Sequence, residues 1–283
     1  MIVPGSASQA LSAALADETG RALATPEYHW FADGEERASV ADYEGESAVV
    51  VATTDSNDAF VELLQLQDAV REAGASEVTT VLPYMGYARQ DRAFEPGQPV
   101  SARAMAQAIS TGTDRVVLVT PHEPDVAEFF DVPVDVLDAS PLLAGALPTD
   151  LTDPLFLGPD ESAEGLAVAV RDAYGAGETD FFEKERDYDT GEVTVTPSDA
   201  SVADRDVVVV DDIIATGSTM SEAVAALHDR DPAAVYTACV HGMLAANART
   251  KLAAAGVKRV LATDTIEREC STVSVAPLVA DSL

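Results

Sequence analysis

The feature that most restricts the fold of this chain is a regular alternation of short β-branched runs with amphipathic segments. Alternation of this kind predicts parallel β-sheets covered by helices on both faces. Such sheets bind ligands at the carboxyl ends of their strands. The predicted strands are Ala48–Thr53, Glu77–Leu82, Arg115–Thr120, Val132–Leu137, Leu155–Leu157, Asp206–Val210, Ala234–Val240 and Arg259–Ala262.

The segments between these runs carry helical periodicity. In the first of them, Phe60, Leu63 and Val70 fall on one helical face, and Gly74 is predicted to end the helix. The predicted helices are Ala59–Ala73, Ser101–Thr111, Pro124–Phe130, Ser162–Ala173, Ser218–His228 and Ala245–Ala255.

Proline and glycine residues interrupt this pattern near Ser140–Asp153, and a chain of 283 residues suits two domains of about 140 residues each. We therefore predict an N-terminal domain at 1–140 and a C-terminal domain at 141–283, with the extreme C-terminus packing on the first domain. Glu183–Val195 differs from its surroundings because it is charged, contains Gly191 and is flanked by extended segments. This composition predicts a mobile hairpin or flap.

The charge of the chain limits its partners. Its 49 acidic and 17 basic residues give a formal charge of −32, which argues against a nucleic-acid partner because phosphate contacts need clustered cations. The lysines are Lys184, Lys251 and Lys258. An acidic, lysine-poor chain resembles the proteins of salt-loving organisms, in which salt screens carboxylate repulsion. An acidic surface that binds a partner is the alternative, and the 47% hydrophobic content excludes an acidic disordered chain.

Compartment and redox state are also constrained. No apolar run approaches the roughly 18 residues that a membrane span needs. The first residues lack the basic and apolar regions of a signal peptide. Cys239 and Cys270 do not make a disulfide framework. We therefore predict a cytoplasmic protein with no membrane partner.

The strongest local pattern is the run from Val207 to Thr219, in which a buried strand leads into two adjacent acids, a small-residue loop and a helix. Backbone N–H groups at such a helix N-terminus suit a phosphate. Acids at a strand end suit the vicinal hydroxyls of a ribose, and they are costly there without a ligand, metal or cation. For the acids alone, the alternative is two solvated carboxylates beside a helix capped by Ser218.

This run resembles the phosphoribosyl pyrophosphate loop of the type I phosphoribosyltransferase fold. The resemblance implies a loop that holds the 5-phosphate of a ribose and acids that face the ribose hydroxyls. Ala215 stands where the commonest form of the loop has an acid, so no general base is expected at this position. The residues predicted to bind ribose 5-phosphate are Asp211, Asp212, Ala215, Thr216, Gly217, Ser218 and Thr219.

A second pattern, Pro83–Arg92, follows a strand and combines aromatic surface, a glycine turn and the cations Arg89 and Arg92. Guanidinium groups suit polyphosphates because each can bind two oxygens at once. The P-loop and protein-kinase motifs are absent from the sequence. A nucleotide would therefore be bound by another scheme.

Tyr87–Arg92 resembles the ATP loop of the ribose-phosphate pyrophosphokinase family, and other segments follow in the family's order. These segments are Phe31–Glu35, Asn57–Leu64, Pro99–Arg103, Phe129–Asp135, Pro159–Asp160, Glu183–Arg186, the 211–219 loop and Val275–Ala280. The resemblance covers nearly the whole chain, which is identified on this basis as a member of the family. It implies an α/β fold of two type I phosphoribosyltransferase-like domains, each a mainly parallel sheet flanked by helices, with the site between them.

The resemblance also implies an activity, a cofactor and an assembly. ATP would give its diphosphoryl group to the 1-hydroxyl of D-ribose 5-phosphate, with Mg²⁺ as the cofactor. The chain would form a homodimer or larger homo-oligomer, in which Phe31 and its neighbours reach the adenine bound by the next subunit. The residues predicted to bind ATP are Phe31, Asp33, Glu35, Arg89, Gln90, Asp91 and His122, and the predicted metal ligands are His122 and Asp160.

Lys184 and Arg186 match the family's flap and are the predicted catalytic residues. At positions i and i+2 of a strand they point to one face, where two cations would stabilise charge in the transition state. A charged hairpin is the alternative for this pair, and a helix cap is the alternative for Asp160. Thr120 stands where many family members have an acid, so this position supplies no carboxylate to the metal's outer shell.

Two other functions are compatible with this fold: a type I phosphoribosyltransferase, and a catalytically silent regulatory paralogue. The transferase has no need for both Tyr87–Arg92 and Phe31–Glu35. The silent paralogue has no need for His122, Lys184 and Arg186.

Overall fold

The computed structural model describes residues 1–186, 193–197 and 200–283, with side chains described outside 183–199. These residues form two compact units. The first comprises Met1–Asp138, Thr265–Glu267 and Ser274–Leu283, and the second comprises Ala139–Asp264 and Arg268–Val273. No helix in the described ranges combines the length and the hydropathy of a membrane span.

The first unit contains a parallel sheet and a separate hairpin. Its strands are β1 (Ile2–Pro4), β2 (Glu27–Trp30), β3 (Glu36–Ser39), β4 (Ser47–Val51), β5 (Glu77–Leu82), β6 (Arg115–Val119) and β7 (Val134–Leu137). Over the described residues, the sheet has the order β1-β4-β5-β6-β7, with every neighbouring pair parallel. Strands β2 and β3 pair antiparallel with each other.

The helices of the first unit are α1 (Gln9–Thr19), α2 (Asn57–Glu72) and α3 (Ser101–Ser110). Helix α2 begins at Asn57 because the Ser56 hydroxyl accepts a hydrogen bond from the Ala59 N–H at 3.1 Å. Its apolar face is fully buried at Leu63, Leu66 and Val70 against the sheet core. The helix ends at Glu72, and Gly74 then adopts a φ of 107°.

The second unit contains one mixed sheet. Its strands are β8 (Leu155–Gly158), β9 (Glu178–Arg186), β10 (Val193–Pro197), β11 (Asp206–Ile213), β12 (Ala234–His241), β13 (Arg259–Thr263) and β14 (Ser271–Val273). In the described part of the chain their order is β10-β9-β8-β11-β12-β13-β14, and β9 with β10 is the antiparallel pair. The predicted flap Glu183–Val195 includes ends of these two strands, and its residues 187–192 lie outside the described residues.

The helices of the second unit are α4 (Glu164–Tyr174), α5 (Ser218–His228) and α6 (Ala248–Ala254), and α7 (Ala276–Ala280) belongs to the first unit. Two predicted helices differ from the structure. The segment predicted at Pro124–Phe130 is a 3₁₀ helix, Pro124–Phe129. The helix predicted from Ala245 begins at Ala248, because Leu244 and Ala246 adopt positive φ angles of 46° and 52°, which are incompatible with an α-helix.

Candidate active site

The end of β11 brings acidic side chains together in the second unit. Asp212 is 8% exposed, and its N–H donates to the Asp211 carboxylate at 3.0 Å. Burial raises the pKa of Asp211 well above the usual carboxyl range, and the charges of Asp212 and Asp160 raise it further. The structure therefore places these three predicted site residues close enough to influence one another. Such a group is favourable where a cation or a hydrogen-bonding ligand compensates it.

The loop after these acids leads directly into α5. Gly217 is the cap residue of the helix, with a left-handed φ of 71°. A Cβ at this position would lie 3.2 Å from the Cα and Cβ atoms of Ala248. The left-handed φ favours glycine here, and the contact with Ala248 leaves little room for a side chain. Thr216 and Thr219 are exposed, and Ser218 is partly exposed, so the first turn presents hydroxyls together with N–H groups that lack intrahelical partners.

One side chain at this loop was not predicted from the sequence. Lys251, on α6, donates from Nζ to the Ser218 Oγ at 2.7 Å. The Ser218 Oγ also lies 3.4 Å from the Thr216 Oγ1. The contact joins residues 33 positions apart, and the sequence signal was the rarity of lysine in this chain.

Side chains, rather than a helix, hold the loop after β5. The Gly86 N–H donates to the Thr54 Oγ1 at 2.8 Å, and a Cβ on Gly86 would lie 2.1 Å from the Thr54 carbonyl oxygen. Tyr87 adopts a φ of 64°, and its hydroxyl donates to the Asn57 Oδ1. A non-glycine residue in this region of φ/ψ space persists only where its surroundings determine its conformation.

The predicted ATP residues of this loop have different environments. Arg89 is exposed and Asp91 is partly exposed. The Gln90 amide donates to the carbonyl oxygens of Arg92 at 2.9 Å and Pro99 at 3.4 Å. Gln90 therefore braces the segment that follows it, while Arg89 remains at the surface.

The tip of the β2–β3 hairpin presents an aromatic ring. The Phe31 N–H donates to the Glu35 carbonyl oxygen at 2.8 Å, and the Glu35 N–H donates to the Asp33 Oδ1 at 3.2 Å. Phe31 is 43% exposed. The His29 ring contacts it edge-on with centroids 4.8 Å apart, and the Arg37 guanidinium carbon lies 6.0 Å from its centroid. No hydrogen bond or ring contact among the described residues joins this tip to residues 89–91.

The remaining predicted residues lie at strand ends. His122 is exposed three residues after β6, and Asp160 accepts a hydrogen bond from the Ser162 hydroxyl after β8. Asp160 makes no side-chain bond to a helix N–H, as a cap would. The backbones of Lys184 and Arg186 pair in β9 with Val195 and Val193, while their side chains lie outside the description.

The described side chains also bear on metal binding. Where the structure describes side chains, it contains no group of three or more His, Cys, Asp or Glu residues arranged to hold a metal ion.

Comparison with known proteins first defines the class. Residues 142–277 match the phosphoribosyl transferase domain, in agreement with the strand, paired acids and helix N-terminus of the second unit. Residues 1–112 match the N-terminal domain of ribose phosphate pyrophosphokinase.

Full-length relatives then define the family. The ribose-phosphate pyrophosphokinase of Halobacterium salinarum is 60% identical over 100% of both chains. That of Methanosarcina mazei is 42% identical over 100% of this chain and 94% of its own. A crystal structure of phosphoribosylpyrophosphate synthetase from Mycobacterium smegmatis matches with a TM-score of 0.84 at 29% identity, covering 100% of this chain and 96% of the other. The chain belongs to the ribose-phosphate pyrophosphokinase family, which confirms the predicted family and fold class.

Proposed function

We propose that this protein transfers the β,γ-diphosphoryl group of ATP to the anomeric hydroxyl of ribose 5-phosphate. The hydroxyl oxygen bonds to the β-phosphorus, the bond between that phosphorus and the α,β-bridging oxygen breaks, and AMP leaves. The hydroxyl proton is lost, and the product is 5-phospho-α-D-ribose 1-diphosphate, a precursor for nucleotide biosynthesis. The observation that carries the proposal is the open helix N-terminus behind paired acids, in a chain matched over its full length by this family.

Ribose 5-phosphate binds the second unit in this proposal. The 5-phosphate takes the first-turn N–H groups of α5, where the helix dipole favours an anion. Asp211 and Asp212 accept hydrogen bonds from the ribose hydroxyls, which compensates their burial. Ala215 leaves the loop without an acid, so proton removal at this position is not assigned to a side chain.

ATP binds the first unit and a neighbouring subunit. Arg89 supplies a guanidinium for phosphate oxygens. Gln90 holds the turn through its bonds to Arg92 and Pro99, and His122 also contacts the nucleotide. Phe31 from the hairpin of a second copy stacks on the adenine. The 43% exposure of this apolar ring supports an intermolecular role.

Mg²⁺ is the proposed metal, with His122 and Asp160 as its proposed protein ligands. His122 and Asp160 offer one nitrogen and one carboxylate, and Mg²⁺ commonly combines one or two carboxylates with substrate phosphates and waters. The charge of Asp160 contributes to the raised pKa of Asp211, which supports the proposal of a positive charge near these acids. When bound, the ion would neutralise charge on the transferring phosphates.

Lys184 and Arg186 are proposed to act on the transferring group itself. Their charges would be worth most in the transition state, where negative charge is redistributed over the diphosphoryl oxygens. The protein is further proposed to be a cytoplasmic homo-oligomer with neither nucleic acid nor membrane as a partner, in keeping with its charge of −32.

The test is the identity of the products. Purified protein is incubated with ATP, ribose 5-phosphate and Mg²⁺, and the products are identified by phosphorus NMR. We expect AMP and a sugar that carries a 1-diphosphate in equal amounts. ADP with a singly phosphorylated anomeric position would contradict the proposal. Failure to convert ATP while added phosphoribosyl pyrophosphate is consumed with a base would favour a phosphoribosyltransferase instead.

A further inference from the structure

Lys251 places a positive charge on the proposed sugar-phosphate loop. It lies on α6, whose first residue Ala248 packs against Gly217, and its Nζ donates to the Ser218 Oγ at 2.7 Å. Ser218 is the first residue of α5, and its Oγ lies 3.4 Å from the Thr216 Oγ1. A row of polar groups therefore runs from the Lys251 ammonium through the Ser218 hydroxyl to the Thr216 hydroxyl, on the exposed side of the loop.

The ammonium group of Lys251 is not paired with an acidic side chain among those that the structure describes. In a chain with 49 acidic residues, some cations make ion pairs, as Arg71 does with Asp114 at 2.5 Å, and others do not. Across the part of the chain whose side chains are described, no carboxylate lies within ion-pair distance of the Lys251 ammonium. Its hydrogen bond goes to a neutral hydroxyl instead. The positive charge thus stays available to an anion at the loop.

The hydrogen bond also determines the direction of the Ser218 hydroxyl. An ammonium group only donates, so the Ser218 oxygen accepts from Lys251. The hydroxyl proton must then point away from the lysine, and it is free for another acceptor. A charged donor also polarises the hydroxyl and makes it a stronger donor in turn.

We propose that Lys251 is a positioning residue for the 5-phosphate: its ammonium orients and polarises the Ser218 hydroxyl and adds a positive charge beside the helix N-terminus. The inference rests on the proposed function of this loop. It names a cation for the sugar-phosphate in addition to the flap cations Lys184 and Arg186. Unlike them, Lys251 acts on the bound sugar-phosphate in the ground state as well as in the transition state. Removal of Lys251 is therefore expected to raise KM for ribose 5-phosphate.

The experiment compares Lys251→Met, Lys251→Arg and the wild-type protein by calorimetric titration with ribose 5-phosphate and by steady-state kinetics. Lys251→Met should weaken ribose 5-phosphate binding by about 10- to 100-fold, as for loss of a hydrogen bond to a charged group. The affinity for ATP and kcat at saturating sugar should change little. Lys251→Arg should recover most of the loss. Lys258→Met is the matched control, because it removes the same charge from a lysine that lies over the Tyr236 ring.

The role of the hydroxyl is tested with Ser218→Ala and the double variant. If Lys251 acts through Ser218, the two losses in sugar affinity will be less than additive. Equal sugar binding by wild type and Lys251→Met would overturn the inference and leave the proposed function intact. Losses of sugar affinity and ATP affinity by a similar factor, together with a lower Tm, would assign Lys251 a merely structural role. This result would also overturn the inference. A wild-type protein that binds no ribose 5-phosphate would refute the proposed function, and the inference with it.

Discussion

In each unit, a loop of proposed ligand-binding function follows a strand that pairs parallel with its neighbours, but the two loops are built in different ways. After β11 the short loop 214–217 leads directly into α5, so main-chain N–H groups and small side chains form the surface. After β5 the chain makes a turn that is held by the side chains of Thr54, Asn57 and Gln90. One loop depends on backbone conformation and the other on side-chain braces.

The glycines of the two loops show the same difference. Gly217 is required mainly by its left-handed φ of 71°. Gly86 has no such conformation, and it is required because the Thr54 carbonyl oxygen lies 2.1 Å from the position of a Cβ. The proposed phosphate loop therefore depends mainly on its own backbone conformation, whereas the proposed nucleotide loop depends on contacts with residues about 30 positions earlier.

The largest expected effect concerns Lys184, which belongs to neither loop and is proposed to act on the transferring group. Lys184→Ala should lower kcat by about 10²–10³-fold, as for loss of one preorganised donor, with a smaller change in KM for either substrate. Single-turnover and steady-state kinetics measure this effect. A near-normal kcat would mean that the flap only covers the site and that residues of the two loops supply the chemistry.

Gly86→Ala tests the braced loop. Its Cβ forces the turn away from Thr54, and we expect a loss of about 1–3 kcal/mol in the free energy of unfolding, together with weaker ATP binding. Thermal unfolding and ATP titration measure the two effects. Gly165→Ala is the control, because its Cβ would meet no atom within 4 Å apart from its chain neighbours and its own helix backbone. Unchanged ATP binding in Gly86→Ala would mean that the loop tolerates displacement and that its braces are dispensable.

Phe31→Ala tests the contribution of the hairpin tip to the nucleotide site. Loss of one stacking ring should cost about 1–3 kcal/mol of ATP binding, with ribose 5-phosphate binding unchanged. Val136→Ala is the control, since Val136 is also 43% exposed and lies on β7. Equal ATP affinity in Phe31→Ala and the wild type would remove the hairpin from the site.

The smallest expected effect is on stability and concerns Glu36 in the β2–β3 hairpin. Burial, and then the charges of Glu62 and Asp58, raise the pKa of Glu36 on β3. A carboxyl whose pKa is raised on folding stabilises the fold below its unfolded pKa, and this stabilisation is lost as pH rises through the folded pKa.

Glu36→Gln removes that charge, so it should raise Tm by about 1–3 °C at pH 7 and by less near pH 4. Calorimetric scans at the two pH values measure the difference. An equal or lower Tm for Glu36→Gln at pH 7 would contradict the assigned cause.

The sequence predicted the parallel sheets and the loop of the second unit because both have local causes. The apolar run at Val207–Val210 is fully buried in the structure, and α5 begins at Ser218 as predicted. Amides at a helix N-terminus are specified by the residues of the loop itself. The same reasoning failed at Ala245 because nothing local marks the positive φ of Leu244 and Ala246.

Other features depend on distant contacts and could not be read from local pattern. The β2 strand, Glu27–Trp30, is mostly exposed and lacks the alternation of a half-buried strand. Gln65 on α2 instead holds the hairpin by accepting from the Ala38 N–H at 2.7 Å and donating to the Glu36 carbonyl oxygen at 2.8 Å. ATP binding by Tyr87–Arg92 was predicted through family resemblance, since Arg89 and Gln90 alone do not specify a nucleotide.

The measurement that tests the central claim most directly is a crossed calorimetric titration of Gly217→Val and Phe31→Ala with each substrate. A β-branched residue is strained at the left-handed φ of Gly217 and would press on Ala248. Gly217→Val should therefore weaken ribose 5-phosphate binding at least about tenfold while ATP binding changes little, and Phe31→Ala should do the reverse. Loss of ATP binding with retained ribose 5-phosphate binding in Gly217→Val would contradict the assignment of the two substrates to the two units.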